Sequence, residues 1–395
     1  MIESKHCLKV ILTAIISIVF LPQSKAQEYD ALAYMDSVEF SLITCSPHEE
    51  IYSLYGHSAL RVHDLHKGKP NDAVFNWGIF NFNKPFFVLR FVFGLTDYEL
   101  GIVGFQAFCD YYRRWGSTVT EQVLNLTSEE KLDLSYALEK NYQPENRIYR
   151  YNYFYDNCST RPRDIILRSI KGEVRYEAEG QLSTTFRELI REKTRRHEWA
   201  TFGNDMLLGV KADLKISRQE QEFLPDRLLY DFDHAQIKGA DGSWRPLIKN
   251  RNIPVKPGVQ VVERDFPVSP TFCALLVLLM TTALCASEWK RRKTFKYWDA
   301  TLMLLYGLAG CLLTVMLFSQ HPTTSTNLQV LLVNPVHLFY LPAILRRRKT
   351  RYWLVLLAMV CLFYIGSIFQ HYAEGMLILA LCLLLRIWIH WKNEK

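Results

Sequence analysis

Apolar residues fall into three regimes along the chain. They form a short run from Val10 to Leu21, mix with polar residues over 27–266, and return as long runs over 267–391. Within the middle regime, VEFSLIT (38–44) and HSALRVH (57–63) alternate as half-buried strands do, and AVFNWGIF (73–80) reads as another strand. Thr127 with Glu130 predicts a capping box before a helix over 128–140. A second helix is expected to start near Cys158. Ser159 and Thr160 are its candidate caps, Pro162 suits its first turn, and IILRSI continues it. Strands mixed with helices make this part α+β. Residues 240–266 combine Gly, Pro and charges without a period and read as a linker. There are no internal repeats, no glycine-rich phosphate loop and no CxxC pair.

The last regime predicts an all-α membrane domain of about five helices, over 267–287, 298–319, 328–345, 351–369 and 376–391, most of them close to the roughly 20 residues that span hydrocarbon. Asn334, Pro335 and His337 interrupt the third, so it is expected to be broken or re-entrant. The first run is shorter, follows Lys5 and Lys9, and ends at Pro22 before Ser24-Lys25-Ala26. That is the pattern of a cleaved secretion signal over 1–26. No lipobox Cys follows it. The domain expectation is therefore a signal (1–26), an outward Cys–His domain (27–239), a linker (240–266) and a membrane part (267–391).

Charge then fixes an orientation. A net charge of +7 would suit nucleic acid, but much of it flanks the apolar runs. Lys290, Arg291, Arg292, Lys293 and Lys296 lie between spans one and two. Arg346, Arg347, Arg348, Lys349 and Arg351 lie between spans three and four. The alternate loops, 320–327 and 370–375, hold no Lys or Arg. The positive-inside rule places the C-terminus in the cytoplasm and the polar half outside, in agreement with the signal. His321, Asn327, Asn334, His337, His371 and Glu374 sit at the outer span ends. They are either helix terminators in the headgroup zone or groups that guide a substrate.

Of nine cysteines only Cys45, Cys109 and Cys158 fall in the polar half, too few for a disulfide scaffold. The segment YNYFYDNCSTRPRD (151–164) puts Cys158 after an extended aromatic run and at a helix start. There the helix dipole and the cations Arg161 and Arg163 favour thiolate. YGHSALRV (55–62) puts His57 at a strand start after Gly56, as a base for that thiol. Asn76 on the next strand is the candidate to orient the imidazole, with Asp72 the alternative. Backbone N–H groups, with Asn157 or Tyr155, are candidates to hold an oxyanion. A lone buried Cys is more commonly a small hydrophobe, so the pairing with His57 carries the reading. His48, His57, His63 and His66 with Cys45 fit no standard zinc spacing, and neither metal nor other cofactor is expected.

An early-strand His followed by an Asn-Cys pair at a helix start resembles the permuted papain-like group of the NlpC/P60 and lecithin:retinol acyltransferase kind. Ser159-Thr160-Arg161 stands where that group's motif continues with a His and an aromatic, which marks a different branch. Over nearly the whole chain, SLITCSPHEEIYSLYGHSALRV, NWGIFNF, EQVLNLT, YNYFYDNCSTRPRD, LLGVKAD, FLPDRL and HPTTSTNLQVLLVNPVHL are similar to the Lnb-type lipoprotein N-acyltransferases.

This resemblance implies a bacterial inner-membrane enzyme. It would move a fatty acyl chain from a phospholipid to the α-amine of a diacylglyceryl-Cys lipoprotein through a thioester on Cys158, with His57 as base. Phe86, Phe87, Phe91 and Phe93 would either shield the thioester from water or serve as core. A peptidoglycan peptidase, a plain phospholipase and a non-catalytic binding module are the rivals. The first has no use for five spans, and the last would tolerate Cys158→Ser.

Overall fold

The computed structural model describes residues 25–48, 50, 53–66, 71–80, 85–86, 90, 93–176, 183–260, 266–346 and 351–394. The expected signal run, Phe87, Phe91 and Arg347–Lys349 lie outside them. In chain order the elements are α1 (Lys25–Met35), β1 (Val38–Cys45), β2 (His57–Asp64), β3 (Asn71–Ile79), β4 (Asp97–Gly104), α2 (Phe105–Arg114), β5 (Val119–Leu124), α3 (Ser128–Tyr142) and β6 (Ile148–Arg150). They continue with α4 (Thr160–Ser169), β7 (Val174–Tyr176), α5 (Phe186–Thr194), α6 (Glu198–Leu207), α7 (Arg218–Gln221), α8 (Pro225–Asp233), β8 (Ala235–Lys238), β9 (Trp244–Pro246) and β10 (Ile248–Val255). The chain ends with α9 (Pro270–Arg291), α10 (Lys296–Leu317), α11 (Val336–Leu345), α12 (Tyr352–Gly366) and α13 (Met376–Glu394).

The chain forms two compact units. The first holds the residues up to Lys84, Asp97–Leu182 and Ser217–Val262. Its centre is a seven-stranded antiparallel sheet in the order β10-β5-β1-β2-β3-β4-β6; β7, β8 and β9 form a small second sheet. The expected strands are present, but β1 is not half-exposed. Phe40, Leu42, Leu60 and Trp77 enter one core with α3, α4 and α8, while Ile43, Cys45, Ala59 and Val74 enter a second core under α2. The alternation therefore sorts side chains between two cores rather than between core and water. The Thr127–Glu130 capping box forms as expected, starting α3.

The stretch read as a linker is partly sheet. β10 pairs with β5 along an edge of the large sheet, and β9 pairs with β8. β10 escapes sequence detection because IKNRNIPV is an edge strand with most side chains exposed. Arg251 reaches Asp233 at 2.8 Å and Asn252 reaches Glu121 at 3.1 Å, so polar contacts support the backbone pairing.

The second unit holds Pro85–Thr96, Ser183–Ile216 and Glu263–Lys395. Residues 183–216, expected in the outward domain, thus belong with the apolar helices. A buried polar network explains this. Arg187, 1 % exposed, binds Asp205 at 3.0 Å and Asp213 at 2.9 Å. Gln329 donates to the Asp205 carbonyl at 2.8 Å, Asn327 to that of Met206 at 2.7 Å, and Gln370 to that of Leu208 at 3.0 Å. Such bonds between residues remote in sequence leave no local periodic trace.

All five expected apolar segments are helical. Residues 270–291, 296–317 and 328–345 are long and apolar enough to cross a membrane, and 352–366 is apolar but shorter. The third is broken: a 3₁₀ turn over Leu328–Leu331 precedes α11. The Asn334 side-chain Oδ1 accepts from Val336 N–H at 3.1 Å. His337 is buried between the Tyr352 hydroxyl (2.7 Å) and the Leu332 carbonyl (2.8 Å), so the freed backbone groups find partners inside the protein. Arg386, fully buried, joins Glu288 at 2.6 Å and Asp299 at 2.7 Å, tying α13 to α9 and α10.

Candidate active site

The site lies where β2 begins and β3 bulges. Gly56 enters β2 with φ +79°, and a Cβ there would stand 2.8 Å from the Cys45 carbonyl oxygen, so only glycine brings the chain into His57 unstrained. β3 is irregular between Asn76 and Ile79. Within that bulge Gly78, at φ +94°, lies against Cys158 Cβ.

Cys158 precedes α4 in a turn that the sequence suggested would be extended. Asn152 and Asp156 instead bridge to each other, folding the aromatic run back. The cap is Asn157 rather than Ser159 or Thr160. Its Oδ1 accepts from Ser159 N–H at 2.8 Å and Thr160 N–H at 2.9 Å. Its Nδ2 donates to the Tyr153 and Phe223 carbonyls at 2.8 and 2.9 Å. Ser159 Oγ donates to the Glu222 carbonyl at 2.8 Å. The Asn157 amide is therefore spent on positioning the nucleophile turn, and both its N–H groups are taken.

His57 Nε2 lies 2.6 Å from Asn76 Oδ1, and the imidazole also hydrogen-bonds Cys158, which leaves Nδ1 for the thiol. The thiol further receives the backbone N–H groups of Ser58 and of Cys158 itself. Burial pushes the Cys158 pKa up. The charge and hydrogen bond of His57, with those N–H groups, outweigh it, and the thiol titrates below its ordinary value. Burial likewise pulls His57 down, but the Cys158 charge, its hydrogen bond and Asn76 raise the imidazolium above its usual range. The arrangement favours a thiolate–imidazolium pair, the form needed for nucleophilic attack.

The other cysteines of this unit contrast with it. Cys45, opposite His57 in the β1–β2 register, is a free thiol driven well up by burial. Cys109, also free, is pushed by burial to about 11. Both stay protonated near neutrality. Phe108 and Tyr112 of α2 face the imidazole, their ring centroids 6.5 and 6.4 Å from it.

Several expected partners are elsewhere engaged. Asp72, the alternative to Asn76, forms a bidentate pair with Arg61, both bonds 2.7 Å. Arg161 is held by Asp156 at 2.6 Å and stacks on the Tyr149 ring at 3.6 Å. Arg163 binds Asp164 and the buried Glu222. The largest influences that lower the Cys158 pKa are His57 and the backbone N–H groups rather than either guanidinium. Tyr155 is 45 % exposed and hydrogen-bonds Glu220.

The second unit's expected residues are also placed. Asn334 and His337 hold the broken helix. His371 pairs with Asp213 at 2.9 Å and Glu374 accepts from Thr271 at 3.2 Å, both on exposed positions; His321 is half-buried, its N–H 3.4 Å from Ser319 Oγ. Phe86 is 78 % exposed and Phe93 half-buried.

Sequence reasoning missed the tyrosines. Tyr98, Tyr112, Tyr149, Tyr151 and Tyr153 all feel the Cys158 charge. The aromatic density of 149–155 was visible, but not which rings face the thiol.

Residues 25–192 match the family model described as the Lnb N-terminal periplasmic domain, and residues 262–395 match the Lnb transmembrane domain. No curated protein and no solved structure matches the chain. With both domains present in order, the chain belongs to the Lnb family and is a membrane protein with a periplasmic N-terminal domain.

Proposed function

We propose that this protein is a lipoprotein N-acyltransferase that carries the acyl group as a thioester on Cys158. The family places it among membrane enzymes of lipoprotein modification. The observation that carries the finer reading is the Asn76–His57–Cys158 relay, with a lowered thiol pKa, at a helix start. The Cys158 thiolate attacks the ester carbonyl of a phospholipid. The C–S bond forms, the C–O bond breaks, and the leaving glycerol oxygen takes the proton of the His57 imidazolium. The neutral α-amine of a diacylglyceryl-Cys lipoprotein then attacks the thioester: the C–N bond forms, His57 takes the amine proton, the C–S bond breaks to return the Cys158 thiolate, and the amide leaves. The amide is more stable than the ester consumed, so the sequence of steps runs without ATP.

A His-bearing strand that precedes the Cys-bearing helix supports a permuted papain-like reading of the first unit. The two basic loops support a cytoplasmic C-terminus and an inner-membrane location, with the five apolar helices as spans. His321, His371 and Glu374 are the candidates to meet the acceptor. A phospholipase or peptidase could use the same relay, but the product separates them.

The test is mass spectrometry of a lipoprotein N-terminus from cells that lack their own N-acylation and express this chain or its Cys158→Ala form. An added acyl chain on the α-amine, only with Cys158, supports the proposal. No added chain with either form, both being present in the membrane, ends it. Free fatty acid or a cut peptide bond would then mark the rival.

A further inference from the structure

Tyr149 has a buried hydroxyl that the fold leaves unused. The residue is 6 % exposed, and its Oη has no hydrogen-bond partner among the described residues. A phenol hidden from water without a partner carries a desolvation cost, so it calls for a reason. Its surroundings are built. Tyr149 pairs with Tyr98 in the β4–β6 register. The Arg161 guanidinium covers its ring at 3.6 Å and is itself fixed by the bidentate pair with Asp156 at 2.6 and 2.8 Å. Arg161 lies three residues after Cys158, so the turn that presents the nucleophile also clamps this ring. Among the charges acting on the phenol, that of Cys158 is the largest, ahead of Arg161. Burial keeps the hydroxyl protonated, hence a donor and not a base.

Resting on the acyl-transfer reading, we propose that Tyr149 is a catalytic residue whose hydroxyl donates a hydrogen bond to the acyl carbonyl oxygen as Cys158 attacks it. When the C–S bond forms, the carbonyl π pair moves to oxygen, and a donor already in place stabilises that charge without reorganisation. The Cys158 and Ser58 N–H groups, which face the sulfur in the free enzyme, are the companion donors. Arg161 acts through Tyr149 and is a positioning residue. Tyr155, the phenol favoured by sequence alone, points to Glu220 instead.

The experiment uses the full chain in detergent with phosphatidylethanolamine as acyl donor. Acyl-enzyme formation is followed by intact-protein mass spectrometry in single turnover. Tyr149→Phe is expected to acylate about 10²- to 10³-fold more slowly. Alkylation of Cys158 by iodoacetamide, which builds no oxyanion, should keep its rate and its pH inflection. The melting temperature should not fall, because the deleted hydroxyl has no partner to lose among the described residues. Acylation within twofold of the parent, or alkylation slowed in parallel, would overturn the proposal. Where the parent forms no acyl-enzyme from the phospholipid, the lipid reading has failed separately. A p-nitrophenyl acyl ester, which passes through the same oxyanion, then decides the Tyr149 question on the same criteria.

Discussion

His57 Nε2 meets Asn76 Oδ1 at 2.6 Å, across two strands that are neighbours in the sheet. The bond turns the other ring nitrogen toward Cys158 and stabilises the charged imidazole, so the side-chain amide acts on the thiol through the ring. Asn76→Ala is expected to slow acyl-enzyme formation on the order of 10²-fold, the lower end of what a positioned base contributes. The apparent thiol pKa should rise with it, as read by iodoacetamide alkylation against pH. Loss of rate with no change in that profile would show that the bond does not tune the pair.

The pair itself has a pH signature. Cys158 lies below the ordinary thiol value and His57 above the ordinary imidazole value, because each charged form stabilises the other. Alkylation of Cys158 should therefore begin at lower pH than that of an unperturbed cysteine. In His57→Ala the burial that raises the thiol is no longer opposed by the ring. The inflection should then move upward past the ordinary thiol value, and an unmoved inflection would refute the pairing.

Beneath the nucleophile turn, Glu222 is pushed up to about 8 by burial and by its hydrogen bond with Asp231, against the pull of Arg163 and Arg218. The folded state holds this proton more tightly than the unfolded chain. Its contribution is complete below the ordinary carboxylate value and is lost as pH rises through that value to about 8. Over that window stability should fall as pH rises, because in the unfolded chain this group gives up its proton first. Denaturant unfolding at several pH values should show that slope in the parent and a flatter one in Glu222→Gln.

Arg386 holds two carboxylates among fully buried groups. Arg386→Ala leaves Glu288 and Asp299 without their guanidinium and is expected to cost about 3–5 kcal/mol. Thermal unfolding in detergent should register a large loss, and a change of a few tenths would mean that the carboxylates are neutralised otherwise.

Asn157 is a cap and not an oxyanion donor. Asn157→Ala should lower stability by about 0.5–2 kcal/mol, with acylation falling as the Cys158 turn loosens. Asn157→Asp keeps the acceptor oxygen that takes the Ser159 and Thr160 N–H groups, so it should recover more of the helix start than Ala, while losing the two bonds to the Tyr153 and Phe223 carbonyls. Circular dichroism melts of the two variants separate these effects. Equal melts for both variants would remove the cap from the account.

What the sequence alone determined is whatever local physics writes at short range. Alternation marked β1 and β2, the Thr127–Glu130 spacing marked a helix start, and long apolar runs marked the membrane helices, because each signal depends on neighbours a few residues apart. His57, Cys158 and Asn76 were legible as candidates for the same reason: a strand start, a helix start and the next strand are local features. Tertiary structure decided the rest. Asp72 was the alternative to Asn76 until Arg61 claimed it. Residues 183–216 joined the apolar helices because Arg187 finds its carboxylates within that segment while Gln329 and Asn327 reach its backbone from over a hundred residues away. β10 is exposed along most of its length and lacks a regular alternation, and its pairing with β5 makes it a strand. Tyr149 became a candidate through a buried hydroxyl with no hydrogen-bond partner among the described residues, and burial of that kind exists only once the chain has folded around it.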